Sequence, residues 1–328
     1  HAVALGLFDY LRKSRSNGFV VSLSGGADSA AVACLVGVMR HLAISELGPE
    51  GWSGRLSHLH HPLGMNDLLL CVYQSTANSG EVTRRAAASL AKALGADFAE
   101  WNVQPAVEHY VALAEETIGR RLDWDADDIT LQNIQARVRA PGIWMQANLR
   151  NALLLATSNR SEAAVGYATM DGDTCGGLSP IAGIDKAFLL SWLRWLETTG
   201  SRTVPALPAL AVVNAQQPTA ELRPPEKDQT DEGDLMPYPV LDRIERLAIR
   251  DKKAPREVLQ LLRFEFPQHD SPTIRAWVIR FFRLWSRNQW KRERYAPGFH
   301  LDDENLDPKT WCRFPILNSG FEEELQTL

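Results

Sequence analysis

Ser24, Gly25, Gly26, Ala27, Asp28 and Ser29 form one block between a short apolar run, Phe19 to Leu23, and a stretch of small apolar residues. Glycines let a backbone turn sharply and approach a ligand closely. A helix that starts just after the turn offers free N–H groups and the positive end of its dipole. Together they make a nest for phosphate or pyrophosphate. The hydroxyls of Ser24 and Ser29 add donors. Asp28 would repel a bare phosphate, so its presence points to a metal bridge. The GxxxxGK[ST] spacing of the other common phosphate loop is absent. A capped strand-to-helix turn would account for a lone SGG; all six residues in this setting favour a nucleotide site.

A second block, Thr157 to Glu162, follows the apolar run at Leu153 and leads through Gly166, Asp173 and Gly176-Gly177 to Lys186. In open α/β sheets ligands sit at the carboxyl ends of strands, and both blocks occupy such ends. Glu162 is therefore expected to complete a magnesium site with Asp28, and Lys186 to meet phosphate as a point charge. The alternative is a helix capped at Ser161 with Glu162 exposed. A third block spans Asn133 to Arg139. Arg137 and Arg139 lie two apart and cannot share a helix face. Either one of them points to a ligand or both are solvated. Two further stretches stand out. One is the polar segment Pro218–Leu222 with Asp228–Glu232. In the other, Asn288–Arg292 and Pro297–His300, basic and aromatic residues alternate. That second stretch reads as a solvated helix end or an RNA-binding strip.

These blocks need elements to hold them. Val3, Leu7 and Leu11 share one face of a helix over 2–15. Strands are expected at 19–23, 68–73, 97–103 and 153–157. Helices are expected after the glycine block, at 80–94 closed by Gly95, at 105–119, 130–149 and 185–197. Pro141 should break or kink the fourth of these. Residues 44–66 read as a loop. The proline-rich stretch 201–239 reads as a long functional loop. Helical patterns return at 239–250, 254–264 and 272–287, and an irregular tail, 295–328, should lie across the body. Trp192, Trp195, Trp277 and Trp285 read as core. Alternating strands and helices indicate an α/β fold, a doubly wound, mostly parallel sheet flanked by helices, with a helical C-terminal region. A single domain over 1–328 is expected, with 1–200 as its nucleotide-binding core.

Bulk properties narrow the class. The 328 residues are 45% hydrophobic and 23% charged, which suits a soluble globular chain with a well-buried core. A net charge of -5 argues against a broad nucleic-acid surface. No run of about 18 apolar residues marks a membrane span, and the N-terminus lacks the plan of a signal peptide. Cys34, Cys71, Cys175 and Cys312 form no CxxC pair, which speaks against a zinc ribbon or a disulfide scaffold and for a reducing cytoplasm.

SGGxDS resembles the signature of the ATP pyrophosphatases (PP-loop enzymes), which cleave ATP between its α and β phosphates. SLSGGADSA, NIQARVR, TSNRSEAAVGYATMDGD, GGLSPIAGIDK, PTAELRPPEKDQTDE and NQWKRERYAPGFH occur in this order in NAD synthetases. From about residue 5 onward the sequence resembles the synthetase domain of the glutamine-dependent subclass. The resemblance implies an adenine-nucleotide alpha-hydrolase-like fold and amidation of deamido-NAD through an adenylate. It assigns Ser24, Gly25, Gly26, Asp28, Ser29, Thr157, Lys186 and Thr219 to ATP, and Asp28 and Glu162 to magnesium. Asn133, Arg137, Glu162, Asp173 and Lys291 fall to deamido-NAD, and Asp28, Lys186 and Lys291 to the chemistry. It also implies a homodimer or higher oligomer, small-molecule substrates, and neither nucleic-acid nor membrane partners.

Two departures matter. Met170 and Gly177 stand where many ammonia-only synthetases carry Lys and Asp. Only about 20 residues precede the loop, without the nitrilase-like amidase domain and its Glu-Lys-Cys triad. Ammonia is therefore expected from a glutaminase domain or subunit, or from solution. The rival expectations are another PP-loop enzyme, such as a tRNA modifier, and a nucleotide-binding module without catalysis.

Overall fold

The computed structural model describes residues 1–59, 64–217, 219–224 and 230–328. Helix α1 (Ala2–Ser14) ends where Arg15 turns left-handed at φ 56. Strand β1 (Phe19–Ser22) leads into α2 (Ala27–Arg55), followed by α3 (Met65–Leu68), β2 (Leu69–Ser75), α4 (Glu81–Leu94) and β3 (Asp97–Asn102). Next come α5 (Gln104–Ile118), α6 (Asp128–Arg150), β4 (Leu153–Leu155), α7 (Arg160–Val165) and α8 (Lys186–Thr198). The described remainder holds α9 (Ala211–Asn214), α10 (Asp231–Asp234), α11 (Tyr238–Glu245), α12 (Pro255–Glu265), α13 (Ser271–Arg287), α14 (Gln289–Arg292) and α15 (Glu322–Gln326).

Among the described residues the strands form one parallel sheet in the order β3–β2–β1–β4, with Phe19 opposite both Leu69 and Leu153. Strand residues alternate between faces. Phe19, Val21, Leu69 and Cys71 join α1, α2, α4 and α8 in one core. Val20, Leu70, Val72 and Leu154 meet Ile143 and Ala147 of α6 on the other side. Both faces are covered, so the strands read as unbroken apolar runs. The order reverses between β1 and β4, and the crevice at that switch point is where such sheets bind ligands. A separate core lies among the C-terminal helices, around Leu241, Ile244, Leu262, Val278 and Phe281. The tail packs Phe314, Phe321 and Leu325 on that core, and Phe299 on the first.

The structure revises four expectations. Residues 44–55 are helical rather than loop. Gly48 interrupts α2 at φ 69 and ψ 170, and Pro49 opens the second stretch, where its missing N–H is harmless. That stretch carries Trp52 onto Phe8, ring centroids 5.8 Å apart. Residues 60–63 of the expected loop lie outside the described residues. By length and composition α2 could cross a membrane, a test that core helices also pass, and its Ala30–Val36 are packed within the core. Pro141 does not end α6, which runs on to Arg150. Burial of Ile143 and Ala147 and a hydrogen bond from Gln74 Nε2 to Arg139 O (3.0 Å) hold the turns beside it. The stretch 201–239 is not all loop: a 3-10 turn at Pro208–Leu210, α9 and α10 lie within it, and Leu210 and Val213 are buried. Pro218 and residues 225–229 lie outside the described residues. The helix expected at 239–250 changes to a π-helix over Arg246–Arg250.

Candidate active site

The loop after β1 is shaped by Gly25. Its φ is +85, and a Cβ there would stand 2.1 Å from Thr83 O of α4. Only glycine permits that approach. Ser24 and Ser29 then close the loop: Ser29 Oγ accepts from Ser24 N and lies 3.1 Å from Ser24 Oγ. Gly26 serves as the N-cap of α2, which leaves the helix start facing outward beside Asp28.

The block after β4 is held by a capping box. Asn159 Oδ1 accepts from Glu162 N at 3.0 Å, and Glu162 reaches back to Asn159 N at 3.4 Å. The cap is therefore Asn159 rather than Ser161, and Glu162 is buried. Asn159 Nδ2 also donates to Asp28 Oδ1 at 2.8 Å, tying the two blocks together across the switch point.

Between them sits Lys186, the first residue of α8 and 1% exposed. Its Nζ donates to Asp28 Oδ2 and, at 3.2 Å, to Glu162 Oε1, and lies 5.4 Å from the Tyr238 ring centroid. Burial disfavours the ammonium, but Asp28 and Glu162 outweigh it and raise the pKa of Lys186 above its usual range. Burial and the charge of Asp28 push Glu162 up to about 8. Asp231, which accepts from Tyr238 Oη at 3.0 Å, is also raised by burial.

These groups open into a cavity of about 580 Å³, together with Asn133, Thr157, Asp173, Thr219 and Lys291. Asp173 is exposed on the cavity side and surrounded by protein elsewhere. Desolvation lifts its carboxyl to about 6, against a hydrogen bond from Thr169 N. Lys291 Nζ donates to Gly166 O (2.7 Å) and Ala168 O (2.9 Å), and burial lowers its pKa. The family model described as NAD synthase matches residues 1–294.

The chain belongs to the NAD synthase family. It is 34% identical to the glutamine-dependent NAD(+) synthetase of Rhodobacter capsulatus, over 97% of this chain and 50% of that protein. With the enzyme of that name from Aquifex aeolicus the identity is 32%, over 98% and 48%. The chain thus spans about half the length of the curated relatives it matches. A crystal structure of a glutamine-dependent NAD(+) synthetase from Cytophaga hutchinsonii aligns with TM-score 0.86 and 48% identity, covering 99% of this chain and 55% of that one. The NMN synthetase of Francisella tularensis shares the fold, with TM-score 0.59 and 20% identity over 92% of this chain and 96% of its own.

Within this NAD synthase fold, most of the residues singled out in the sequence line the one cavity. Gly25 and Arg137 do not. Gly25 packs on α4, and its carbonyl accepts from Gln216 Nε2 at 3.3 Å. Arg137 is exposed, and its Nε donates to Met170 O at 3.0 Å. Arg139 faces the cavity instead. Its Nε donates to Gln74 O (3.0 Å) and Nη1 to Gln135 O (3.2 Å), and burial lowers its pKa. It makes no ion pair among the described residues, so its charge is available to an anion. Asn159, Asp231 and Tyr238 were also passed over as site residues. Asn159 lies inside the TSNRSE motif, and Asp231 inside the segment whose composition reads only as polar. Asp228 and Gln229 of that segment lie outside the described residues.

The strip after α13 is in part built into the body rather than solvated. Gln289 and Arg292 are buried, and Arg292 Nη1 donates to Ala164 O at 2.8 Å while its guanidinium lies 3.8 Å from the Trp285 ring.

The donor set suits magnesium. Asp28 and Glu162 converge on a single ammonium, and burial, then the charge of Asp28, raises the pKa of Glu162. Among the described residues no three acidic, histidine or cysteine side chains group to hold an ion. Magnesium needs only one or two carboxylates when phosphate oxygens and water complete its shell.

Proposed function

We propose that this chain amidates deamido-NAD to NAD, consuming ATP and ammonia and releasing AMP and pyrophosphate. One arrangement carries the reading. The glycine loop after β1 and the Asp28–Lys186–Glu162 cluster share a cavity that Asn133, Asp173 and Lys291 also line. A nicotinate carboxylate is a poor acyl donor until its oxygen becomes a good leaving group. Its attack on the α-phosphorus of ATP forms a mixed anhydride and expels pyrophosphate. Ammonia then adds to the carbonyl, AMP leaves with the electron pair of the broken C–O bond, and loss of a proton gives the amide. Charge builds on the departing pyrophosphate, where the α2 N–H groups, Ser24, Ser29 and Lys186 are grouped to oppose it. Magnesium bound at Asp28 and Glu162 would neutralise phosphate oxygens. Arg139 adds a fixed charge to the same cavity. No covalent protein nucleophile is required.

The proposal includes a cytoplasmic homodimer. Packed against each other, α5 and α6 expose Tyr110, Leu113, Met145 and Leu149, an apolar face of the kind a second copy covers. It also includes ammonia from a glutaminase domain or subunit, which the glutamine-dependent relatives support. Pyrophosphate release from ATP and magnesium, with deamido-NAD and ammonium omitted in turn, tests it. Release should require deamido-NAD, and NAD should accumulate only with ammonium. Release indifferent to deamido-NAD would overturn the reading.

A further inference from the structure

The loop 166–170 after α7 is gripped by cations from two directions. Lys291 of α14 donates to Gly166 O and Ala168 O, and Arg137 of α6 to Met170 O. Asn288 clamps the same segment. Its Nδ2 donates to Val165 O at 2.7 Å, and a Cβ on Gly166 would lie 2.5 Å from its own Cβ. These contacts fix the end of α13 against the loop and set its last residue, Arg287, at the cavity rim. Arg287 is exposed and makes no hydrogen bond or ion pair with any described residue.

Charge at this rim is one-sided. Arg137 and Lys291 are anchored by carbonyl oxygens, which orient their side chains without neutralising them. Asp171 is taken up by Arg294 at 3.0 Å. Asp173 is the carboxylate facing Lys291, while Arg137 and Arg287 lie close enough to repel it. Such a set of cations fits a ligand of more than one negative charge. Size points the same way. A cavity of about 580 Å³ is mid-range for one small ligand, so ATP and a dinucleotide together must extend past the rim. There the cavity meets a groove along α13, which shares Leu284 and Arg287 with it.

We propose that Arg287 is a specificity residue: with Lys291 it receives the pyrophosphate of the dinucleotide and makes the site prefer it to the corresponding mononucleotide. This rests on the amidation reading above. Lys291 lines the cavity and would meet one phosphate; the second would lie further out, where Arg287 lines both the cavity and the groove along α13.

The test is steady-state amidation by the wild-type chain, Arg287→Gln, Arg287→Lys and Arg263→Gln, the last an exposed charge on α12. Deamido-NAD and nicotinate mononucleotide serve as alternative substrates. Losing a charge-assisted contact should raise KM for deamido-NAD about 10-fold or more in Arg287→Gln. KM for ATP and kcat/KM for the mononucleotide should hold within about 2-fold, the experimental resolution assumed for additive sites. Arg287→Lys should recover most of the loss, and Arg263→Gln should match wild type. An unchanged KM for deamido-NAD, or equal losses with both substrates, overturns the role of Arg287 and leaves the amidation reading standing. If wild type binds deamido-NAD without turnover, calorimetric Kd values for the same four chains decide by the same ratios. A wild-type chain that neither binds nor converts deamido-NAD overturns both.

Discussion

An ammonium at 1% exposure is tolerated only where carboxylates surround it, and Lys186 has Asp28 and Glu162 on its Nζ. Lys186→Met would leave those carboxylates facing each other in a desolvated site. We expect a loss of about 3–5 kcal/mol in urea unfolding, with pyrophosphate release at least about 100-fold slower, the scale of one lost electrostatic stabiliser. Arg139 supplies a second residue-scale prediction. Arg139→Gln should weaken binding of an anionic substrate about 10-fold in calorimetry, whereas Arg137→Gln should spare ATP affinity. The sequence left open which arginine points inward. Arg139 is three residues past Ala136 and four before Ile143, both buried, so it shares their face. Reading that apolar stripe across the NIQARVR block would have singled it out. Nothing local reveals that Lys291 turns inward, because its partners are carbonyls 125 and 123 residues away.

At the scale of elements, the glycine loop and the junction of α7, α8 and α11 position the cluster. Gly25→Ala would force a Cβ into Thr83 O and a positive φ onto an L residue. A loss of about 2 kcal/mol or more is expected in denaturant unfolding, together with weaker ATP binding. In the junction, Asp242 of α11 accepts from Ser161 Oγ of α7 and from Ala187 N of α8 (2.9 Å), joining the two helix starts. Burial, and then the charge of Asp185, push its carboxyl up to about 7. The folded chain therefore holds this proton more tightly than the unfolded one. The resulting stability is fully present below about pH 4, the ordinary carboxyl range, and is lost as pH rises through about 7. Unfolding titrations between pH 5 and 7.5 should show Asp242→Asn flattening that decline; an unchanged slope would assign it to other groups. The helices themselves were legible from glycine stops and apolar periodicity. Those of 44–55 were not, because Gly48-Pro49 marks both a loop and a joint between helices.

For the whole molecule, three apolar clusters meet around the cavity, and an apolar face lies on α5 and α6. Sedimentation should show wild type as a dimer and a Met145→Glu, Leu149→Glu chain as a 36.5 kDa monomer. A wild-type monomer at micromolar concentration would remove the dimer from the proposal. The parallel sheet was readable because buried parallel strands need continuous apolar runs, and helices must alternate with them. The short turns inside 201–239 were not, since prolines signal turns whether or not Leu210 and Val213 are buried between them.

What the sequence determined by itself is what local covalent geometry enforces. SGGADS after an apolar strand makes a tight turn, because glycine at position 25 permits both φ +85 and the close approach to Thr83 O. The six ordered blocks pointed to the family because each carries its chemistry in adjacent residues. Tertiary structure decided the rest. Lys186 meets Asp28 across 158 residues, and Asn159 joins Asp28 across 131, because β1 and β4 are neighbours in the sheet. No propensity or spacing records that adjacency. It is set by which apolar faces pack, and with it whether each charged side chain ends in solvent, on a carbonyl or in the cavity.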